Sequence, residues 1–214
     1  MIVQWLDPML VLALLVNFFM LGASRLRAVI YAVAFQGVLL GVMPIFVRGE
    51  VGWWLGLLVI ATIIIKGIVL PELVSYAMRE VFISREIDPV VSFVPSLLLG
   101  AAGTGLALGY ARTLPLAPNH SGSLIVPASL ATVLTGFLIL TTRRKAITQA
   151  VGYLVLENGI FLFGLLLIEA MPFLVEIGVL LDLFVCVFVM GIIIHHINQE
   201  FSSVSTEHLA RLKD

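Results

Sequence analysis

Residues 143–169, RRKAITQAVGYLVLENGIFLFGLLLIE, open on three consecutive basic residues and then run from Ala146 to Ile168 with a single charged group, Glu157. A run this long and this apolar on every side is what a helix needs to cross a bilayer, about 20 residues at about 1.5 Å of rise each. Spans of a β-barrel would instead alternate apolar and polar residues in segments of about ten. The carboxylate in the middle is the anomaly. A charge there costs about 2.5–3.5 kcal/mol on insertion scales, so it requires a partner or a task.

The rest of the chain repeats this pattern. Of 214 residues, 61% are hydrophobic and 12% charged, and the mean hydropathy is +1.15, a composition that cannot keep its apolar surface out of water as a soluble domain. Roughly seven to nine spans would use up the length, leaving no room for a soluble catalytic domain. With 12 Lys+Arg against 13 Asp+Glu the net charge is −1, and no basic excess points to nucleic acid. One cysteine, Cys186, excludes an internal disulfide and a self-contained Fe–S or cysteine-based zinc site. Any electron-transfer chemistry must then lie on another chain.

Seven apolar runs fall at about 7–23, 26–47, 52–78, 91–111, 124–141, 145–169 and 172–197, which predicts an all-α, polytopic membrane helix bundle. The first run lacks a basic segment before it and is followed by Arg25 and Arg27, so it is expected to stay in the mature protein. If the spans alternate, Arg25, Arg27, Arg79, Arg85, Arg143, Arg144, Lys145, Arg211 and Lys213 share one side, nine of the twelve basic residues. The excess of Lys and Arg on cytoplasmic loops then places the N-terminus out and the C-terminus in, with the inner membrane as the expected location. Trp53 and Trp54 open the third run as interfacial anchors.

The loop 112–123, RTLPLAPNHSGS, divides the chain into spans one to four (1–111) and spans five to seven (124–198), with a cytoplasmic tail at 199–214. An offset of 118 sets Arg25-Leu26-Arg27-Ala28-Val29 against Arg143-Arg144-Lys145-Ala146-Ile147, and Ala32-Val33-Ala34-Phe35 against Ala150-Val151-Gly152-Tyr153. On that alignment spans one to three and five to seven would be parallel repeats joined by the fourth, an arrangement used by transporters.

Four ionisable residues lie inside the spans: Lys66, Glu157, Glu176 and Asp182. Counting inward from the cytoplasmic ends at about 1.5 Å per residue puts Lys66 and Glu157 roughly 18 Å deep and Asp182 roughly 21 Å deep, one level near the midplane. Glu176 lies nearer the outer end, where it reaches interfacial water. Glu72 reads as an ordinary end charge, and Gln36 as a midplane residue able to hydrogen-bond across helices. Beside Lys66, Pro71 cannot donate to the carbonyl of Gly67, so the Gly67–Pro71 turn is expected to break the helix and free a backbone acceptor. Two readings of this level stand. It is either a buried ion-pair network that orders the bundle or a hydrated relay in which Lys66, Glu157 and Asp182 pass protons or sense charge in a neighbouring subunit.

His195 and His196 are adjacent, so their side chains diverge by about 100° and cannot chelate one metal from successive turns; no metal site is read in this chain. At a helix C-terminus they serve as a positive cap or as proton-exchange groups at a pathway mouth. Gly152, Gly159 and Gly164 allow close helix contact, and Cys186, on the face of Asp182, reads as packing.

The last three spans resemble the K-type subunit of respiratory complex I and its antiporter counterpart, on the basic turn Arg143-Arg144-Lys145, on Glu157, and on Asp182 at matching depth. The whole chain resembles hydrogenase-4 component E, a membrane subunit of group 4 [NiFe]-hydrogenase and formate hydrogenlyase complexes. GYLVLENGIFLFG and LLDLFVCVFVMGIIIHHINQEF carry most of that likeness. Two departures mark it: the basic turn stands about three residues farther from Glu157 than in the K-type subunit, and an Asp replaces the second Glu. The resemblance implies a non-catalytic subunit that helps couple redox chemistry elsewhere to proton or sodium movement. It would have no cofactor of its own, with the NiFe centre and Fe–S clusters on peripheral hydrogenase subunits and with antiporter-like and quinone-site-like subunits beside it in the bilayer. A subunit of a multisubunit cation/proton antiporter and a purely structural scaffold are the alternatives.

Overall fold

The computed structural model describes residues 5–48, 52–80, 87–114 and 123–166, together with 184, 187 and 191. The helices are α1 (Leu6–Gly22), α2 (Leu26–Arg48), α3 (Trp53–Ile64), a π-helical turn (Ile65–Val69), α4 (Leu70–Glu80), α5 (Phe93–Ala111), α6 (Ile125–Thr142) and α7 (Ala146–Gly164). Among the described residues there is no strand, only an isolated bridge between Pro89 and Arg143. Five stretches are long and apolar enough to cross a membrane: Leu26–Val47, Leu55–Tyr76, Phe93–Ala111, Ile125–Thr142 and Ala146–Gly164. Helix α1, at 17 residues, is a shorter apolar helix. The expected seventh span at 172–197 lies outside the described residues apart from 184, 187 and 191.

Helix is the form these runs must take, because it satisfies every backbone group within the segment. Prolines mark the entrances: Pro8, Pro95 and Pro127 stand in the first turns of α1, α5 and α6, where a missing N–H is no loss.

The break expected at Gly67–Pro71 takes the form of the π turn. Leu70 donates its N–H to the Ile65 carbonyl, five residues back, and Pro71 follows. The extra residue keeps one face buried. Leu55, Val59, Thr62, Lys66, Leu70, Val74 and Met78 all point inward, and the last five are spaced by fours, a pattern that drifts about 40° per step on a regular α-helix. One inserted residue takes up about 100° of the accumulated drift of about 160°.

Helices α6 and α7 form the most extensive pair, and α1 packs on α6 as α2 packs on α7. A Cβ built at Gly136 would fall 2.4 Å from the Leu156 nitrogen, one at Gly152 2.7 Å from the Leu140 nitrogen, and one at Gly159 2.6 Å from the Val133 nitrogen. These glycines bring the two backbones together as the sequence suggests for Gly152 and Gly159. At Gly164, nothing among the described residues lies within 4 Å of the position its Cβ would take.

The interior is layered. One apolar cluster joins Met20, Leu26, Val33, Val74, Ile139 and Val151; a second joins Leu10, Leu40, Met43, Ile125, Phe161 and Leu162. The first gathers the end of α1, the start of α2 and the start of α7. The second gathers their opposite ends. Between the two lie the buried polar residues Asn17 on α1, Gln36 on α2, Thr132 on α6, and Glu157 and Asn158 on α7.

Turns meet at the end of the bundle that holds the first cluster. Ile87 donates to the Ser24 carbonyl (2.9 Å), Val90 to that of Thr142 (2.8 Å), and Arg144 to that of Asp88 (3.1 Å). Arg143, the first residue of the basic turn, is 2% exposed. Its guanidinium donates to the carbonyls of Val91 (3.0 Å) and Leu21 (3.1 Å) and to Ser96 Oγ (3.4 Å), and lies 5.3 Å from the Phe93 ring centre. Burial lowers the pKa of this guanidinium from its ordinary value, although an arginine remains charged in proteins. Arg144 is exposed.

Candidate functional site: a polar layer between two apolar clusters

Lys66 projects from the π turn and forms an ion pair with Glu157 Oε1 on α7. The two residues are 4% and 2% exposed. Lys66 Nζ also donates to Asn158 Oδ1 (3.2 Å) and stands 5.2 Å from the centre of the Phe161 ring, a distance at which the ring face attracts a cation. The pairing is what burial demands, since removing one partner of a buried ion pair costs about 3–5 kcal/mol.

The layer continues from there. Asn158 Nδ2 donates to Gln36 Oε1 (3.2 Å), Gln36 Nε2 to Asn17 Oδ1 (2.9 Å), and Asn17 Nδ2 to Thr132 Oγ1 (2.8 Å). Every member is buried. The chain of contacts crosses five elements, from the π turn and α7 through α2 and α1 to α6. One atom in it stands out: Glu157 Oε2 is buried without a hydrogen-bond partner among the described residues.

The site residues expected from sequence therefore divide. Lys66 and Glu157 meet directly, beside the break at Gly67 and Pro71. Asp182, Glu176, His195 and His196 lie outside the described residues, as does Cys186. Glu72 is exposed on α4. Gln36 does hydrogen-bond across helices, while Asn17, Asn158 and Thr132 were missed by sequence reasoning. The available signal was amide and hydroxyl side chains inside otherwise apolar spans, on residues that place them level with Lys66 and Glu157.

Among the described residues the layer holds one cation, one carboxylate and a run of neutral amides. The cation and carboxylate can exchange or sense charge; the amides can only orient it.

No protein-family profile matches the chain, and no solved structure does. It is 35% identical over 195 residues to uncharacterized protein Rv0085 of Mycobacterium tuberculosis, covering 88% of this chain and 87% of that protein. It is 30% identical over 154 residues to hydrogenase-4 component E of Escherichia coli K12, covering 70% of this chain and 69% of that protein. The hydrogenase-4 component E of Shigella flexneri matches to the same extent. With this identity maintained over more than two thirds of both proteins, the chain belongs to the hydrogenase-4 component E family.

Proposed function

We propose that this chain is a non-catalytic, multi-pass membrane subunit of a complex I-like membrane-bound hydrogenase, in which the Lys66–Glu157 pair couples redox chemistry on other subunits to proton or sodium movement. In this reading the NiFe centre and Fe–S clusters belong to peripheral subunits. Antiporter-like and quinone-site-like subunits flank the chain in the inner membrane, with its N-terminus out and C-terminus in. Asp182, Glu176, His195 and His196 extend the pathway.

The observation that carries the reading is the buried ion pair whose carboxylate has one oxygen without a hydrogen-bond partner among the described residues. A proton arriving at Glu157 Oε2 neutralises the carboxylate without displacing a hydrogen bond. Lys66 then loses its counter-charge, and the field it presents to neighbouring subunits changes; departure of the proton restores the pair. Protonation at one end and charge at the other are thereby coupled. The π turn beneath Lys66 is a further support, because such turns are frequent at functional sites.

A structural reading also has an observation in its favour: the pair and its amides tie five elements together, as a device for bundle order would. The two readings part on measurement. In inverted vesicles, Lys66→Met and Glu157→Gln are expected to lower subunit abundance, as loss of one partner of a buried pair does, but to lower redox-driven ion uptake per assembled subunit by about a further tenfold. If abundance of the assembled complex falls in step with uptake in both variants, the layer is structural. Purification of a tagged chain with antiporter subunits and no [NiFe] large subunit would select the antiporter reading instead.

A further inference from the structure

The hydrogen bonds leading away from Lys66 all point the same way, and both ends fix their direction. An ammonium carries only donors, so Asn158 must turn its Oδ1 to Lys66 and its Nδ2 to Gln36. At the far end the terminators only accept. Gln36 Nε2 donates to the Ala13 carbonyl (3.3 Å) as well as to Asn17, and the Thr132 hydroxyl donates to the Ala128 carbonyl (2.7 Å), leaving its oxygen to accept from Asn17. Reversing any one amide would set donor against donor and acceptor against acceptor among buried groups.

Two consequences follow from that polarity. Each amide presents its oxygen toward Lys66 and its NH2 away, so the dipoles favour the ammonium where it stands. A primary amide is also neither an acid nor a base at physiological pH, so a run of three cannot hand a proton along.

We infer that Asn158, Gln36 and Asn17 form a one-way ladder of positioning residues that clamps the Lys66 ammonium against Glu157. The ladder closes the α1 and α6 side of the layer to protons, so that proton exchange of the pair runs through Glu157 Oε2. The part concerning proton exchange rests on the proposed coupling role; the polarity of the ladder does not.

The polarity is tested by Gln36→Glu in the assembled complex. A carboxyl group at position 36 faces the Ala13 carbonyl and Asn17 Oδ1, both acceptors, and fits the ladder only as the protonated acid. Infrared difference spectra against the unsubstituted complex at neutral pH are expected to show an added protonated carboxyl band; an added carboxylate band in its place would overturn the fixed polarity. The block is tested by Asn17→Leu, which cuts the ladder while keeping the Gln36 bond to Ala13. Ion uptake per assembled subunit is expected to fall by about two- to threefold, because one rung of the clamp is lost, whereas a loss matching that of Glu157→Gln would make the ladder a conductor and overturn the inference. Should Gln36→Glu fail to assemble, the Asn17→Leu result decides alone. If Glu157→Gln transports normally, the coupling role falls while the infrared result still judges the ladder.

Discussion

Gly37 on α2 and Lys66 on the π turn interlock: a Cβ at position 37 would lie 2.7 Å from Lys66 Cβ and 3.3 Å from the Lys66 carbonyl oxygen. The next pair repeats the contact in reverse, with a Cβ at Gly67 falling 2.5 Å from Val38 Cγ2. The absence of side chains at Gly37 and Gly67 is thus what lets the π turn sit against α2 and bring Lys66 level with Gln36.

Gly37→Ala is therefore expected to push the π turn away from α2, at about 1–3 kcal/mol for overpacking of a close-packed contact. Neither the Lys66 stem nor the backbone can swing aside as a free side-chain end would. Thermal aggregation of the detergent-extracted subunit measures it, and a midpoint equal to that of the unsubstituted protein would contradict the interlock.

A contrast among glycines tests the α6–α7 seam. Gly136→Ala and Gly159→Ala place a methyl against backbone atoms of the facing helix and should each lower stability by about 1–3 kcal/mol. Gly164→Ala and Gly105→Ala, where nothing among the described residues lies within 4 Å, should change it little. Equal effects across the four in the same aggregation assay would mean that the seam is not close-packed.

Arg143 and Arg144 are neighbours with opposite fates. Arg143→Ala removes the donor to Leu21, Val91 and Ser96, and hydrogen bonds to a charged group contribute about 1.5–3 kcal/mol each before the remaining groups relax. Subunit abundance in the membrane should fall several-fold for Arg143→Ala and remain near normal for Arg144→Ala. Lys at 143 should rescue poorly, because one ammonium cannot reproduce the planar fork of contacts.

Topology is open to labelling. With Cys186 replaced by Ser, cysteines at the exposed positions 113 and 144 lie at opposite ends of the bundle, one past the end of α5 and the other at the turn before α7. An impermeant maleimide should modify position 113 from the periplasmic side and position 144 only after the cytoplasmic side is opened. The reverse pattern would invert the orientation, and modification of both from one side would break the bundle as described.

The five stretches able to span a membrane and the charged pair were legible in the sequence for the same reason: long apolar runs and charges within them are each costly to explain otherwise. What surrounds the pair was not. In a bilayer the lipid-facing and helix-facing sides are equally apolar, so no periodicity distinguishes the inward Asn17 from the outward Phe19, or singles out Asn158 beside Glu157. Pro71 located the helix break, but its form as a π turn depends on the buried face running through Lys66 to Met78. The burial of Arg143 was hidden because its partners, Leu21 and Val91, lie 122 and 52 residues earlier.

The ion pair joins residues 91 positions apart in the chain, and synthesis imposes an order on them. At about 5–20 residues per second, Lys66 leaves the ribosome roughly 5–20 s before Glu157. For that interval the third span occupies the membrane with a cation and no carboxylate to meet it, held in the bilayer by its apolar flanks alone. The unfinished chain thus carries a built-in signature of incompleteness. Any product that stops before α7 keeps Lys66 without Glu157, and arrival of Glu157 is what removes the unpaired charge.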